Sequence, residues 1–260
     1  MSEPAQNDYV SERSGAAHAY RYRIPYIPKF FEQLVSLSRM TRESRVLDLC
    51  CGNGQLAIGL SKCVAHIDAV DGSAEMLDLA PKVDNVRYIL GNVNKPQLPS
   101  LLDNRKFDHF VIGRAIHWVE QESLRALSES CLKDKGRIIV AAAGWDWKTP
   151  WIEEFQKVRR AYGCSPALDW RGTEKMSAAG FHVEDRFIVT TKISCDIHYL
   201  VNHAASYSAS YRVIRANLDK FRSHLARALQ PYIEDGMLTG PIENSATIYW
   251  RRDGEVMRRQ

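Results

Sequence analysis

The run Arg45-Val46-Leu47-Asp48-Leu49-Cys50-Cys51-Gly52-Asn53-Gly54 constrains this chain more than any other. Its first five residues read as a short buried strand, its two glycines demand a tight turn, and Gln55-Leu56-Ala57-Ile58-Gly59-Leu60-Ser61 continues as a helix. Strand, glycine turn and helix in immediate succession open a parallel α/β unit, since a parallel neighbour is reached only through a crossover. Such a turn lets a ligand approach bare backbone and meet the free N–H groups of a helix start.

The pattern then repeats. A strand over 66–70 ends at Asp71-Gly72, and Ser73 is placed to cap a helix running through Glu75, Met76 and Leu77. Strands over 86–90, 107–112 and 136–143 end at Gly91-Asn92, Gly113-Arg114 and Gly144-Trp145, with a helix over 122–131 between the last two and another over 30–37 ahead of the first strand. This alternation predicts a parallel sheet whose ligands lie at the carboxyl ends of its strands. Beyond Trp151 it loosens into a helix over 151–162, a strand over 181–193, two Tyr- and Arg-rich helices within 194–233 and a last strand over 247–250. About 40 helical residues between two strands far exceed an ordinary connection, which predicts a cap over the ligand face.

Composition narrows the class. With 45% hydrophobic and 25% charged residues the bulk of the chain should fold. The net charge of +4 is scattered rather than gathered into a stripe, which argues against a nucleic-acid partner. No long apolar run and no basic flank before one occurs, so the expectation is a cytoplasmic protein without a membrane segment. The six cysteines lack the paired spacings of a zinc site, so free thiols and no metal are expected.

Gly52-Asn53-Gly54-Gln55-Leu56-Ala57 fits the dinucleotide pattern G-x-G-x-x-G/A, with Asp71 about 20 residues on, where an acid accepts from ribose hydroxyls. A nicotinamide-dependent oxidoreductase is open on this motif alone.

The wider set resembles the class I S-adenosylmethionine-dependent methyltransferases: the acid and glycine turn of Asp48 to Gly54, Asp71 closing the second strand, Gly91-Asn92-Val93 after the third, the fourth-strand run Phe107-Asp108-His109-Phe110-Val111-Ile112, and the fifth strand from Gly136 to Gly144. The likeness covers roughly residues 40 to 150. It implies an α/β fold with a Rossmann-like, mostly parallel seven-stranded sheet, helices on both faces and the helical cap before the last strand. It also implies S-adenosylmethionine as cofactor and S-adenosylhomocysteine as product. Asp48 would orient the loop or the methionine amino group, Gly52 and Gly54 would back the cofactor, and Asp71 with Gly72 would hold the ribose. Met76 would pack on the adenine, whose polar edge would meet Asn92 and the Val93 N–H. Two positions depart from the pattern: Cys50 stands where glycine is usual, implying φ < 0 there and room for a side chain, and Asn92 stands where aspartate is common.

His117-Trp118, the segment from Tyr20 to Pro28 and the ending Ile248-Tyr249-Trp250-Arg251 resemble the trans-aconitate methyltransferase-like branch, which implies a small-molecule acceptor, O- or N-methylation and a place in secondary metabolism. That likeness puts Tyr22 and Arg23 over the cofactor, with Arg23 or Arg114 clamping the methionine carboxylate. His117 is the candidate base, and Tyr22, His117, Trp118, Trp145, Trp147, Tyr207 and Tyr211 are candidates for the acceptor pocket, with Arg212 and Arg215 beside them. The expected division is an N-terminal segment at 1–40, a core at 41–193 and 244–251, and a cap at 194–243, in a monomer or homodimer. A nucleic-acid methyltransferase is a competing function, but Gly113-Arg114-Ala115-Ile116-His117 lacks the Asn/Asp-Pro-Pro-aromatic signature of base amino-methylation. A catalytically silent binding protein is another.

Overall fold

The computed structural model describes residues 16–164 and 172–251; the first fifteen residues of the expected N-terminal segment lie outside them. In chain order the elements are α1 (Ala16–Ala19), a 3-10 turn (Tyr20–Tyr22), α2 (Pro28–Ser38), β1 (Arg45–Leu49), α3 (Gln55–Leu60), β2 (His66–Asp71), α4 (Ala74–Asp78), β3 (Val86–Leu90), α5 (Leu98–Leu101) and β4 (Phe107–Gly113). There follow a 3-10 turn (Ile116–Trp118), α6 (Gln121–Cys131), β5 (Leu132–Trp145), α7 (Pro150–Ala161), α8 (Thr173–Ala178), β6 (Phe181–Cys195), α9 (Ile197–Ala205), α10 (Ser208–Ala216), α11 (Leu218–Leu229), a 3-10 turn (Gln230–Tyr232) and β7 (Leu238–Arg251).

The seven strands form one mixed, mostly parallel sheet in the order β3-β2-β1-β4-β5-β7-β6. β1 is paired in parallel with β2 on one side and β4 on the other, Asp48 standing level with Ala69 and Val111. A central parallel strand is covered on both faces, which is why Val46, Leu47 and Leu49 form a nearly unbroken apolar run and why Asp48 among them is buried. The chain moves outward in opposite directions from β1 and β4, so their carboxyl ends mark the switch point at which such sheets take ligands.

The described chain divides into two compact units. One comprises residues 26–142, 172–189 and 244–251, including all of β1 to β4; its core packs Leu47, Phe107, Phe110, Ile112, Ile116, Leu124, Ile138 and Tyr249 together. The other comprises residues 16–25, 143–164 and 190–243, including α7 and α9 to α11. This differs from the expected division: the N-terminal segment parts after Pro25, and the 143–164 stretch belongs with the helices between β6 and β7. Those helices number three rather than two, because Asn217 ends α10 and begins α11, its side-chain amide donating to the Val213 carbonyl. Among the described residues no helix is long and apolar enough to cross a membrane.

Candidate functional site

At the end of β1 the backbone turns through two left-handed residues, Cys50 at φ 56° and Gly52 at φ 56°, before Gly54 at φ 80° starts α3. The negative φ expected at Cys50 is thus corrected. The position keeps the left-handed geometry that a glycine would favour, and the thiol is accommodated by packing partly against the core. Gly54 is fixed twice over, since its φ is positive and an added Cβ would fall 2.5 Å from the Tyr88 hydroxyl oxygen. At the end of β4 another side chain stands in the left-handed region, Arg114 at φ 56°. Strained backbone at the ends of two adjacent central strands is the kind of feature that clusters at ligand sites.

Two carboxylates organise this turn. Asp71 accepts the Gly52 N–H at 2.7 Å through one oxygen and the Ser73 N–H at 2.9 Å through the other, and the Ser73 hydroxyl in turn accepts from the Met76 N–H, capping α4. Both Asp71 oxygens thus take part in orienting the carboxylate at the mouth of the turn. Asp48 lies deeper, 1% exposed; one oxygen accepts the Ala57 N–H at 3.1 Å and Oδ1 has no partner. Burial raises the Asp48 pKa from 3.8 to about 8, the Ala57 hydrogen bond pulling the other way. Gly72 adjoins open space, an added Cβ meeting nothing nearer than the Gly91 carbonyl oxygen at 3.9 Å.

The loops after β3 and β4 are tied to each other. Asn92 Oδ1 accepts the Asn94 N–H at 2.9 Å; the Asn94 side chain donates to the Trp118 carbonyl and accepts from the Glu120 N–H, both at 2.9 Å. From α8, Lys175 Nζ donates to the carbonyls of Ile116 at 2.8 Å and Val119 at 2.6 Å, bracketing His117 and Trp118. The His117 and Trp118 rings lie 4.7 Å apart, and Trp118 packs partly against the core. Asn94 and Lys175 were not among the sequence candidates; both support the loop rather than face a ligand by motif. The Asn92 amide oxygen, expected to meet adenine, closes its own turn here.

Arg114 Nη2 donates to Gln55 Oε1 at 2.7 Å and its guanidinium lies 4.9 Å from the Tyr26 ring centroid, joining the end of β4 to the first residue of α3. Met76 and Val93 are buried, at 9% and 7% exposure.

The second unit gathers several of the other candidates. Its centre is His203, 1% exposed, whose Nδ1 lies 2.8 Å from the Tyr22 carbonyl oxygen and whose Nε2 lies 3.4 Å from the Tyr207 hydroxyl. A carbonyl only accepts, so Nδ1 donates to Tyr22, and in the neutral ring Nε2 is left to accept the Tyr207 hydroxyl's hydrogen bond. Arg23 donates to the Ser206 carbonyl at 3.1 Å, with its guanidinium 3.8 Å from the Tyr207 ring centroid. Trp145 does not stand on an exposed surface: at 1% exposure it is interior, its ring edge-on to Trp151 at 4.9 Å. Trp147 is exposed, Tyr211 is half-buried on α10, and Arg212 and Arg215 are exposed on the same helix.

Residues 46–136 match the family described as "Methyltransferase domain". An uncharacterized methyltransferase of Schizosaccharomyces pombe is 22% identical over 189 residues, which cover 65% of this chain and 71% of that protein. A Saccharomyces cerevisiae protein named "Probable S-adenosylmethionine-dependent methyltransferase" is 24% identical over 161 residues, covering 60% of this chain and 54% of its own, so the chain spans about half that relative's length. Among solved structures, a protein of Anaeromyxobacter dehalogenans assigned as a type II methyltransferase superposes with a TM-score of 0.67 at 17% identity, covering 88% of this chain and 97% of that one. A S-adenosylmethionine-dependent methyltransferase of Geobacter sulfurreducens, in complex with S-adenosylhomocysteine, gives 0.51 at 17% identity over 93% and 98% of the two chains. At such identities the structural matches speak to the fold.

Proposed function

We propose that the chain is a class I S-adenosylmethionine-dependent methyltransferase that transfers the cofactor's methyl group to an oxygen or nitrogen of a small organic molecule. The methyltransferase match chooses between the two cofactors that the glycine spacing left open, and the cofactor is S-adenosylmethionine. The observation that carries the site assignment is the pairing of an anchored carboxylate, Asp71, with a buried, half-satisfied one, Asp48, around a turn that carries two glycines.

The residues fit that cofactor. Asp48 Oδ1 is a buried acceptor without a partner and suits a cationic amino group, while Asp71, a carboxylate held in place at the end of β2, suits two vicinal hydroxyls. Gly52 and Gly54 keep side chains out of the turn, Gly72 leaves room beside Asp71, and Met76, Asn92 and Val93 would serve the adenine. Arg114 would serve the methionine carboxylate from its perch on Gln55.

When bound, S-adenosylmethionine supplies an electrophilic methyl group on a sulfonium, which leaves orientation and exclusion of water to the protein. His117, at the carboxyl end of β4 and bracketed by the two Lys175 hydrogen bonds, would take the proton from a hydroxyl or ammonium acceptor. A small acceptor is favoured by the sequence after β4, which reads Gly113-Arg114-Ala115-Ile116-His117 in place of the signature used on nucleobases.

The test is transfer of labelled methyl from S-adenosylmethionine to a panel of small hydroxy and amino compounds, with RNA and DNA oligonucleotides in parallel. Label in a small product that is lost in His117→Gln supports the reading. Label confined to an oligonucleotide contradicts it.

A further inference from the structure

Arg159 is an anomaly in the second unit. It follows Trp151 and Phe155 at successive four-residue steps along α7, which puts it on the buried stripe of that helix, and it is 4% exposed. Arginines so deeply buried are nearly always paired with an anion. Among the described residues no carboxylate pairs with Arg159: its one hydrogen bond runs from Nη1 to the neutral Gln156 Oε1 at 3.0 Å, and Nε is buried without an acceptor. The guanidinium carbon lies 4.5 Å from the Tyr207 ring centroid and 5.8 Å from that of Phe155. Such ring contacts recover only part of the cost of taking a guanidinium out of water. The group is therefore incomplete as it stands.

With Nη1 committed to Gln156, the Nε–Nη2 edge of the planar guanidinium remains, and that edge matches the two oxygens of a carboxylate. The same Tyr207 ring carries the Arg23 guanidinium at 3.8 Å, so positive charge converges on one place, while His203 fixes the Tyr207 hydroxyl. The Tyr207 and Phe155 rings beside the Arg159 guanidinium favour a planar, unsaturated carrier for the carboxylate.

We propose that Arg159, seated on Tyr207 and Gln156, is a binding site for a small aromatic or unsaturated carboxylate. The site lies within one unit and is independent of the methyl-transfer reading, so it should bind with no cofactor present.

The experiment titrates the full chain, without cofactor, with benzoate and cinnamate beside their neutral amides, by calorimetry and thermal shift. The carboxylates should bind saturably and at least tenfold more tightly than the amides. Arg159→Met should weaken carboxylate binding at least tenfold, and without ligand it should melt no lower than the unsubstituted protein, because the cation it removes has no anionic partner. Arg159→Lys, which keeps the charge but loses the fork, should also bind more weakly, and it serves if the methionine variant does not fold. Equal binding of acid and amide, or no binding of either, would overturn the site. So would an Arg159→Met protein that is less stable yet binds carboxylate unchanged, which would make Arg159 a structural residue.

Discussion

The Asp71 carboxylate accepts the Gly52 N–H at 2.7 Å, tying the end of β2 to the glycine turn at the end of β1. The turn is thereby held by the protein's own groups, and the same carboxylate holds the start of α4 through Ser73. Asp71→Ala leaves both N–H groups without their acceptor and should lower stability by about 1–3 kcal/mol, read as a fall in urea midpoint. Asp71→Asn, which keeps one oxygen, should lose less.

Asp48 predicts a pH dependence with a definite sign. Its pKa is raised from 3.8 to about 8, so folding takes up a proton between those values. The stability it contributes is present in full below about pH 4 and is lost as the pH rises through about 8. Asp48→Asn should flatten that decline in a stability-versus-pH series. A cationic amino group beside Oδ1 favours the ionised form, so cofactor binding near pH 7 should release a proton, visible as a dependence of the calorimetric enthalpy on buffer ionisation heat.

Lys175 holds the loop that bears His117 by two carbonyl contacts. Lys175→Met should therefore reduce kcat while leaving cofactor affinity near that of the unsubstituted protein. His117→Gln should reduce kcat by about 100-fold or more and remove the limb of the pH–rate profile that a base creates. A Lys175→Met enzyme with unchanged kcat would separate the loop from the chemistry.

Cys50, at φ 56°, carries a side chain in a region that costs an L residue about 1–2 kcal/mol. Cys50→Gly relieves that strain but forfeits packing against the core, so its melting temperature should move little. Cys50→Val places a β-branched side chain there and should be less stable than Cys50→Gly by about 2 kcal/mol or more.

Sequence made β1 to β4 legible to within a residue or so, since each is a largely apolar run with an acid or a glycine at its end or just beyond it. It hid most of β7. That strand begins at Leu238 rather than 247, and its buried alternate positions are Leu238, Gly240, Ile242, Asn244, Ala246 and Ile248. Gly240 is required because a Cβ would lie 2.6 Å from the Trp151 ring, and Asn244 is buried because its Oδ1 accepts the Ile27 N–H at 2.7 Å. A glycine, an amide and the intervening Pro241 mask the two-residue period.

The site divides in the same way. Asp48 and Asp71 are readable because acids at strand ends beside a glycine turn have few other reasons to be there. The left-handed conformation of Cys50 is not, because nothing in a cysteine announces φ > 0. Lys175 reaches Ile116 from 59 residues away, which no local pattern encodes. Arg159 was legible in principle: an arginine in register with Trp151 and Phe155 on one helix stripe interrupts an apolar face.

Calorimetric titration of the chain and of its Asp71→Ala variant with S-adenosylhomocysteine, beside NADH, tests the cofactor site directly. Saturable binding of S-adenosylhomocysteine is the predicted result, weakened in the folded variant by about 1–3 kcal/mol, with no binding of NADH. Binding of NADH in its place, or equal affinity of Asp71→Ala and the unsubstituted protein for S-adenosylhomocysteine, would contradict the account.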